Sequence, residues 1–315
     1  MSSEKIKVLY IAGSGRSGST ILGDILGQID GFCHMGELRY IWERGLIENW
    51  LCGCGVPFKE CETWKAILDK AFEGKINAHE MMHAFKSGIR IRHTPLLLIP
   101  QGRAILMSHL PQHYLSSLRN LYQAIQEVTK SRVIIDSSKL PSYGYTLAMM
   151  SNLEVYVIHL IRDSRAVAFS WSRKKLDPGQ GRFMSEMGLM KSSLLWLILN
   201  IGAETLRHHE KLKYMKIRYE DFIKSPRTII TNIVRFIDEM PFIDEHKMPF
   251  IDEHTIRMRF NHTVSGNPSR FQHGTVKLKA DIEWIRSMPK HDRVFVTFMT
   301  WPLLLRYKYF DSVTL

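Results

Sequence analysis

The sequence predicts an α/β fold with a central parallel sheet, and three observations carry that expectation. Aliphatic, largely β-branched runs recur at Lys7–Ala12, Arg132–Asp136 and Val155–Ile161, too unbroken for strands that keep one wet face. Each run ends in glycine, serine or charge and is followed by a segment of helical spacing. Length supplies the third observation. With 315 residues and 45% hydrophobic content the chain can bury a large core, and no linker composition divides it. We therefore expect one domain over 1–315, with a helical insertion at about 40–130.

The first strand runs into Gly13-Ser14-Gly15-Arg16-Ser17-Gly18-Ser19-Thr20 and a helix expected over Thr20–Ile29. Glycines let the backbone turn tightly, so that N–H groups converge on one anion at the positive end of the helix dipole. Arg16 adds a fixed charge. A short strand is expected at Phe32–Gly36, followed by a helix from Glu37 towards Trp50. That order delivers Glu37 and Arg39 to the carboxyl edge of the sheet, where open parallel sheets bind ligands.

Four cysteines, Cys33, Cys52, Cys54 and Cys61, crowd the first fifth of the chain. In a reducing compartment they read as structural thiols. A zinc knuckle would need a fourth ligand, for which Cys33 or His34 stands nearest, and the usual paired two-residue spacings are missing. No metal is expected.

Asn77–Thr129 has helical spacing with breaks at Thr94-Pro95 and Leu110-Pro111. The strand Arg132–Asp136 leads to Ser137-Ser138-Lys139 and a proline-started helix, and Val155–Ile161 leads to Arg162-Asp163-Ser164-Arg165 and a helix through Trp171. Polar or cationic residues thus arrive at the same end of successive strands. Leu176–Phe183 reads as a loop, Ser185–Leu212 as a helix and Tyr214–Arg218 as a further strand. Met-Pro-Phe-Ile-Asp-Glu-His occurs twice, at Met240–His246 and Met248–His254, a tandem duplication expected to enlarge a surface loop. His262–Phe271, polar and turn-rich, is placed to fold over a ligand.

A net charge of +12 favours anionic partners. No basic run of five suggests a nucleic-acid arm, and the longest apolar run, Leu194–Ile201, falls short of the roughly 20 residues a bilayer requires. We expect no nucleic acid and no stable membrane insertion. The start of the chain lacks the features of a signal peptide, which gives a cytoplasmic expectation.

Two generic patterns fit the opening turn. Gly13-x-Gly15-x-x-Gly18 is the dinucleotide fingerprint, yet it leaves Arg16 without a use. Gly13-x-x-x-x-Gly18 before Ser19-Thr20 has the spacing of a triphosphate loop, with Ser19 where lysine belongs and Asp136 as the acidic magnesium partner. A kinase-like phosphotransferase and a non-catalytic anion or nucleic-acid binder therefore stand as competing classes.

A third reading uses more residues. Gly15-Arg16-Ser17-Gly18-Ser19-Thr20, together with Arg162 and Ser170 eight positions later, resembles the two nucleotide-binding motifs of the sulfotransferase family. Asp136-Ser137-Ser138-Lys139, Arg218-Tyr219-Glu220-Asp221 and Ser265-Gly266-Asn267-Pro268-Ser269-Arg270 are similar to segments of its bacterial members. The resemblance implies a P-loop-like three-layer α/β fold. It also implies transfer of a sulfonyl group from 3′-phosphoadenosine 5′-phosphosulfate (PAPS) to a small-molecule hydroxyl or amine without a metal, leaving adenosine 3′,5′-bisphosphate.

Carried onto this sequence, Gly15, Arg16, Ser17, Gly18, Ser19 and Thr20 would hold the phosphosulfate. Arg162 and Ser170 would hold the 3′-phosphate, and Arg270 is also assigned to the donor. The phenol and steroid branch places lysine where Arg16 stands and a catalytic histidine in a His-Leu-Pro segment. His109-Leu110-Pro111 matches that segment but precedes the Asp136 strand, which puts it in the wrong place in the topology. Arg16 with Gly36-Glu37-Leu38-Arg39 is closer to the carbohydrate and tyrosyl-protein branches. Glu37 is then the expected base, Arg16 and Lys139 its catalytic partners, and Arg39 an acceptor contact. The acceptor is expected to be a small alcohol such as a natural product.

Overall fold

Strands β1 (Ile6–Gly13), β2 (Phe32–His34), β3 (Val133–Lys139) and β4 (Leu153–Ile161) lie in one parallel sheet. The computed structural model describes residues 5–88, 93, 95–96, 99–177, 181–244 and 248–310. A two-residue antiparallel pair, β5 (Leu176–Asp177) and β6 (Arg182–Phe183), stands apart. Strand β7 (Leu212–Arg218) completes the sheet in the order β2-β3-β1-β4-β7, and β8 (Thr255–Met258) pairs with β9 (Gly274–Lys277) as a separate ribbon.

The unbroken apolar runs follow from burial on both faces. Val8, Tyr10 and Ala12 of β1 point into one hydrophobic cluster, Leu9 and Ile11 into another, and all five are fully buried. Each such aliphatic side chain contributes about 1.5–3 kcal/mol on burial, so neither face of β1 tolerates a polar residue.

Helix α1 (Ser19–Leu26) follows β1. Between β2 and β3 come a 3-10 turn at Leu38–Tyr40, a wide π-type segment at Ile41–Ile47, and helices α2 (Glu62–Phe72), α3 (Ala78–Gly88), α4 (Pro100–Ser108) and α5 (Gln112–Thr129). Then follow α6 (Pro141–Ala148), α7 (Ser164–Ser172), α8 (Leu189–Thr205), α9 (Tyr219–Lys224), α10 (Pro226–Phe236), α11 (Glu283–Ser287) and α12 (Lys290–Arg306). No helix among the described residues is long and apolar enough to cross a membrane.

Leu22 and Ile25 of α1 and Ile230 and Ile233 of α10 cover the Leu9 face, while α5, α6 and α8 cover the Val8 face through Leu118, Tyr143 and Leu199. The chain leaves β1 towards β2 and leaves β3 in the opposite direction, over β1, towards β4. Strand connections therefore part to opposite faces at β1, and a crevice opens beyond its carboxyl end.

Several expected boundaries move. The helix expected over Thr20–Ile29 spans Ser19–Leu26, because the Gln28 side chain returns to the Asp24 carbonyl and Gly31 turns at φ 83°. The helix expected over Ser185–Leu212 begins after the extended Gly188 and stops where His209 becomes extended, so that β7 starts at Leu212. The expected break at Thr94-Pro95 lies partly outside the described residues. Of the duplicated heptapeptide, Glu245 and His246 also lie outside them. Phe242 of the first copy is 62% exposed, as a surface loop requires. Phe250 of the second is only 8% exposed, because it packs in the cluster that holds Ile256 and Leu278 and its backbone bridges to Ile256. Only the first copy presents its phenylalanine to solvent.

Candidate active site

The turn after β1 is a set of donors with few acceptors. Gly18, at φ 91°, is the N-cap of α1 and no side chain caps the helix, so its first N–H groups are open to an anion. The Ser14 and Ser17 hydroxyls and the Nε atoms of Arg16 and Arg162 are buried without a hydrogen-bond partner among the described residues. Arg16 itself adopts φ 64°, a left-handed conformation that costs a non-glycine residue about 1–3 kcal/mol. The glycines have packing reasons as well. A Cβ on Gly18 would stand 2.5 Å from the Tyr219 ring, and one on Gly15 would stand 2.9 Å from Trp171.

A cleft of about 810 Å³ opens above this turn, lined among the described residues by ten lysines and arginines and two carboxylates, Glu37 and Asp281. Such a lining fits a ligand with more than one negative charge. The Arg16 guanidinium lies 4.6 Å over the Trp171 ring and donates to Met184 Sδ at 3.3 Å. Burial pushes its pKa down from the usual arginine value. Arg162, from the end of β4, donates to the Arg16 carbonyl at 3.0 Å and to Asp281 Oδ2 at 2.8 Å, and stacks on Tyr219. Ser170, two turns along α7, lines the same cleft. Thr20 Oγ1 accepts from the Asn267 N–H at 3.1 Å, which fastens the polar segment after β8 over the turn.

On the other side of the cleft Glu37 follows β2. Its N–H donates to the Ser265 carbonyl at 3.2 Å, and Gly36 before it sits at φ 80° with no room for a Cβ, which would meet Ser265 O at 2.5 Å. Lys139, displaced by an irregularity at the end of β3, places Nζ 2.7 Å from Glu37 Oε1 and 3.0 Å from the Ser137 carbonyl. Arg39 stands 3.9 Å from Glu37 Oε2 and lies over the Tyr40 ring. Burial pushes the Glu37 carboxyl up, but Lys139, Arg39 and Arg44 together outweigh it, so its pKa lies below the ordinary carboxylate value. Burial holds the Lys139 ammonium below the usual lysine value despite the opposing pull of Glu37. Glu37 is therefore ionised at neutral pH and in contact with a cation.

The structure gathers Gly15, Arg16, Gly18, Ser19, Thr20, Glu37, Arg39, Lys139, Arg162 and Ser170 around this one cleft. Ser17 stands apart, its side chain fully buried. Arg270 does not line the cleft: its guanidinium, 3% exposed, donates to the carbonyls of Thr263 at 3.0 Å and Leu51 at 2.9 Å. His109 is outside it too, its Nδ1 within 2.6 Å of the Ile105 carbonyl. Asp136 is fully buried and accepts from the Tyr122 hydroxyl at 2.6 Å and the Ser138 N–H at 2.9 Å, away from the cleft lining.

Sequence reasoning missed Arg44, Trp171, Arg173, Lys277, Lys279 and Asp281. Arg44 donates to Ser265 Oγ at 2.7 Å and lies over the Tyr40 and Trp50 rings. Nothing in its local spacing marks it. The alternation Lys277-Leu278-Lys279 was a readable signal, since a strand end sends alternate residues to one face.

A sequence profile of the sulfotransferase family matches residues 9–244. Among solved structures, the chain is similar to the sulfotransferase domain from the Synechococcus PCC 7002 olefin synthase, at 21% identity and TM-score 0.52 over 92% of each chain. It is also similar to the sulfotransferase domain from the curacin biosynthetic pathway, at 17% identity and TM-score 0.52, over 94% of this chain and 97% of that one. At these identities the two structures establish the fold. A search of curated protein sequences finds no match.

Proposed function

This chain belongs to the sulfotransferase family, and we propose that it transfers a sulfonyl group from PAPS to a hydroxyl or amine of a small molecule. The observation that supports this reading best is the convergence of Arg16, Arg162 and Glu37 on one cleft from three different strand ends. The uncapped start of α1 and the Arg16 guanidinium fit a phosphosulfate, and the pair Arg162 and Ser170, in the same cleft, fits a second phosphate.

PAPS, when bound, supplies a sulfonyl group on a phosphate leaving group. Gly15, Arg16, Gly18, Ser19, Thr20 and Arg162 bind and orient it. Glu37, already ionised, accepts the proton of the acceptor hydroxyl at a carboxylate oxygen as that oxygen attacks sulfur. Arg16 neutralises charge gathering on the departing phosphate, and Lys139, 2.7 Å from the base, lines the same cleft. Arg39 orients the acceptor. No step in this scheme calls on a metal. Asp136, enclosed by Tyr122 and Ser138, is poorly placed to serve a magnesium nucleotide, which weighs against the phosphotransferase alternative.

The chain reads as one domain, with the segment between β2 and β3 as its helical insertion. Met184 is the residue that the 176–190 segment contributes to the cleft lining among the described residues, and we assign a natural-product alcohol as the acceptor class. The folds named for olefin synthase and curacin biosynthesis lend support to that choice. Thermal melting tests the donor assignment. Adenosine 3′,5′-bisphosphate at 100 times its Kd should raise Tm by roughly 5 °C without metal, and ATP with magnesium should raise it less. No stabilisation by adenosine 3′,5′-bisphosphate would overturn the assignment.

A further inference from the structure

Outside the cleft, three of the four cysteines meet one histidine from the far end of the chain. Cys52, Cys54, Cys61 and His262 each offer one ligand atom, and the four atoms lie within 4.8 Å of one another. We propose that they bind a structural zinc ion.

Three of the ligand separations are close to those of a tetrahedral zinc site. Zinc bonds to thiolate at about 2.3 Å and to imidazole at about 2.0–2.1 Å, so ligand atoms of a tetrahedral site stand about 3.8 Å apart for two sulfurs and about 3.5 Å for sulfur and nitrogen. Here Cys54 Sγ and Cys61 Sγ are 3.8 Å apart, and His262 Nδ1 lies 3.9 Å from Cys52 Sγ and 3.2 Å from Cys61 Sγ. The sulfur separation is nearly twice the about 2.05 Å of a disulfide. Three sulfurs and one nitrogen suit zinc, and four protein ligands leave no open position, the mark of a structural site. Binding displaces the three thiol protons to solvent.

The surroundings hold the ligands in place. Cys52 donates its N–H to the Val56 carbonyl and its own carbonyl accepts from Gly55, so the loop turns back on itself before Cys61 caps α2. Gly53 allows the approach of the partner segment, since a Cβ there would stand 2.3 Å from the Asn261 carbonyl. The second ring nitrogen of His262 lies 3.2 Å from Thr63 Oγ1 and its carbonyl accepts from Trp64 Nε1, which fixes which nitrogen faces the sulfurs. Arg270 donates to the carbonyl of Leu51, next to Cys52, where a zinc tris-thiolate would carry one net negative charge. Neither Cys33 nor His34 takes part: the Cys33 thiol contacts Ser131, and His34 bridges Asp24 and Ser137. The fourth ligand lies 201 positions beyond Cys61.

The test uses the untagged full-length chain and readouts independent of sulfonyl transfer. Elemental mass spectrometry of the purified protein should find one zinc per chain. Replacing the zinc with Co²⁺ should give the thiolate charge-transfer and d–d absorption bands of a tetrahedral site. Cys61→Ser and His262→Ala should each lower the bound zinc at least tenfold. Because either variant could also unfold, the Co²⁺ spectrum of the unaltered chain is the deciding measurement. A folded, reduced chain that carries no zinc and gives no such spectrum on Co²⁺ titration would overturn the proposal. So would a disulfide among Cys52, Cys54 and Cys61, seen as a two-dalton mass loss.

Discussion

The turn after β1 and the knuckle at Cys52–Cys61 are both built to surround a ligand, but from opposite materials. The turn is contiguous: Gly13 to Thr20 carry the strand end, the left-handed residues Arg16 and Gly18, and the helix start in one stretch. The knuckle is assembled across the chain, from three cysteines within ten positions and a histidine brought back by the segment after β8. The first offers N–H groups and guanidinium to an anion. The second offers sulfur and imidazole to a cation. They meet at the 263–267 segment, where Thr263 and Ser265 tie the knuckle side to Glu37 and Arg270, and Asn267 ties it to Thr20. In the proposed scheme a local device does the chemistry while a long-range device holds its neighbour in place.

If the two devices are separable in this way, variants should sort into two groups. Glu37→Gln should lower kcat by about 10²–10⁴ fold, the usual worth of a general base, with zinc content unchanged. Arg16→Ala should lower kcat by about 10²–10³ fold and leave the circular dichroism spectrum intact. Steady-state sulfonyl-transfer assays, paired with elemental analysis of the same samples, check both. Loss of zinc from either variant would mean that the two regions fold as one unit.

His262→Ala probes the converse. It should lower Tm by roughly 5–10 °C, corresponding to a few kcal/mol, while the Kd for adenosine 3′,5′-bisphosphate stays within a few fold in calorimetric titration. A collapse of nucleotide binding would erase the distinction between a site and its support.

The smallest effect is on pH. Glu37 must be ionised to accept a proton in the proposed scheme, and its pKa lies below the ordinary carboxylate value, so the acid limb of kcat/KM should fall at lower pH than an unperturbed glutamate would give. A carboxylate depressed in this way also adds stability above its unfolded pKa and loses it as pH falls. Lys139 lies below the usual lysine value, so the alkaline limb should begin below about pH 10.4. Lys139→Met should remove that limb in a pH profile and move the acid one to higher pH, because Lys139 is the first of the cations that hold the Glu37 pKa down.

The comparison also explains what could be read beforehand. The strands at Lys7–Ala12, Arg132–Asp136 and Val155–Ile161 were legible because burial on both faces writes itself into consecutive residues. The anion turn was legible for the same reason, being consecutive. His262 was not, since no spacing rule spans 201 positions, and the nearer Cys33 and His34 are engaged elsewhere. Arg270 shows the opposite failure. A polar turn-rich segment marks a loop near a ligand, but only the fold shows that this guanidinium holds two backbone carbonyls instead of facing the cleft. Arg44 reaches Ser265 from a π-type segment, whose wider turn defeats the helical spacing used to place side chains.

The duplicated heptapeptide gives one socket two keys. Phe250 fills a buried position and Phe242, with identical neighbours in sequence, stays at the surface. The chain delivers the two copies differently: Glu239, just before the first, is buried in ion pairs with Lys7 and Arg132, whereas the second runs directly into β8. Identical heptapeptides thus take unlike environments, and place in the fold decides which phenylalanine is buried.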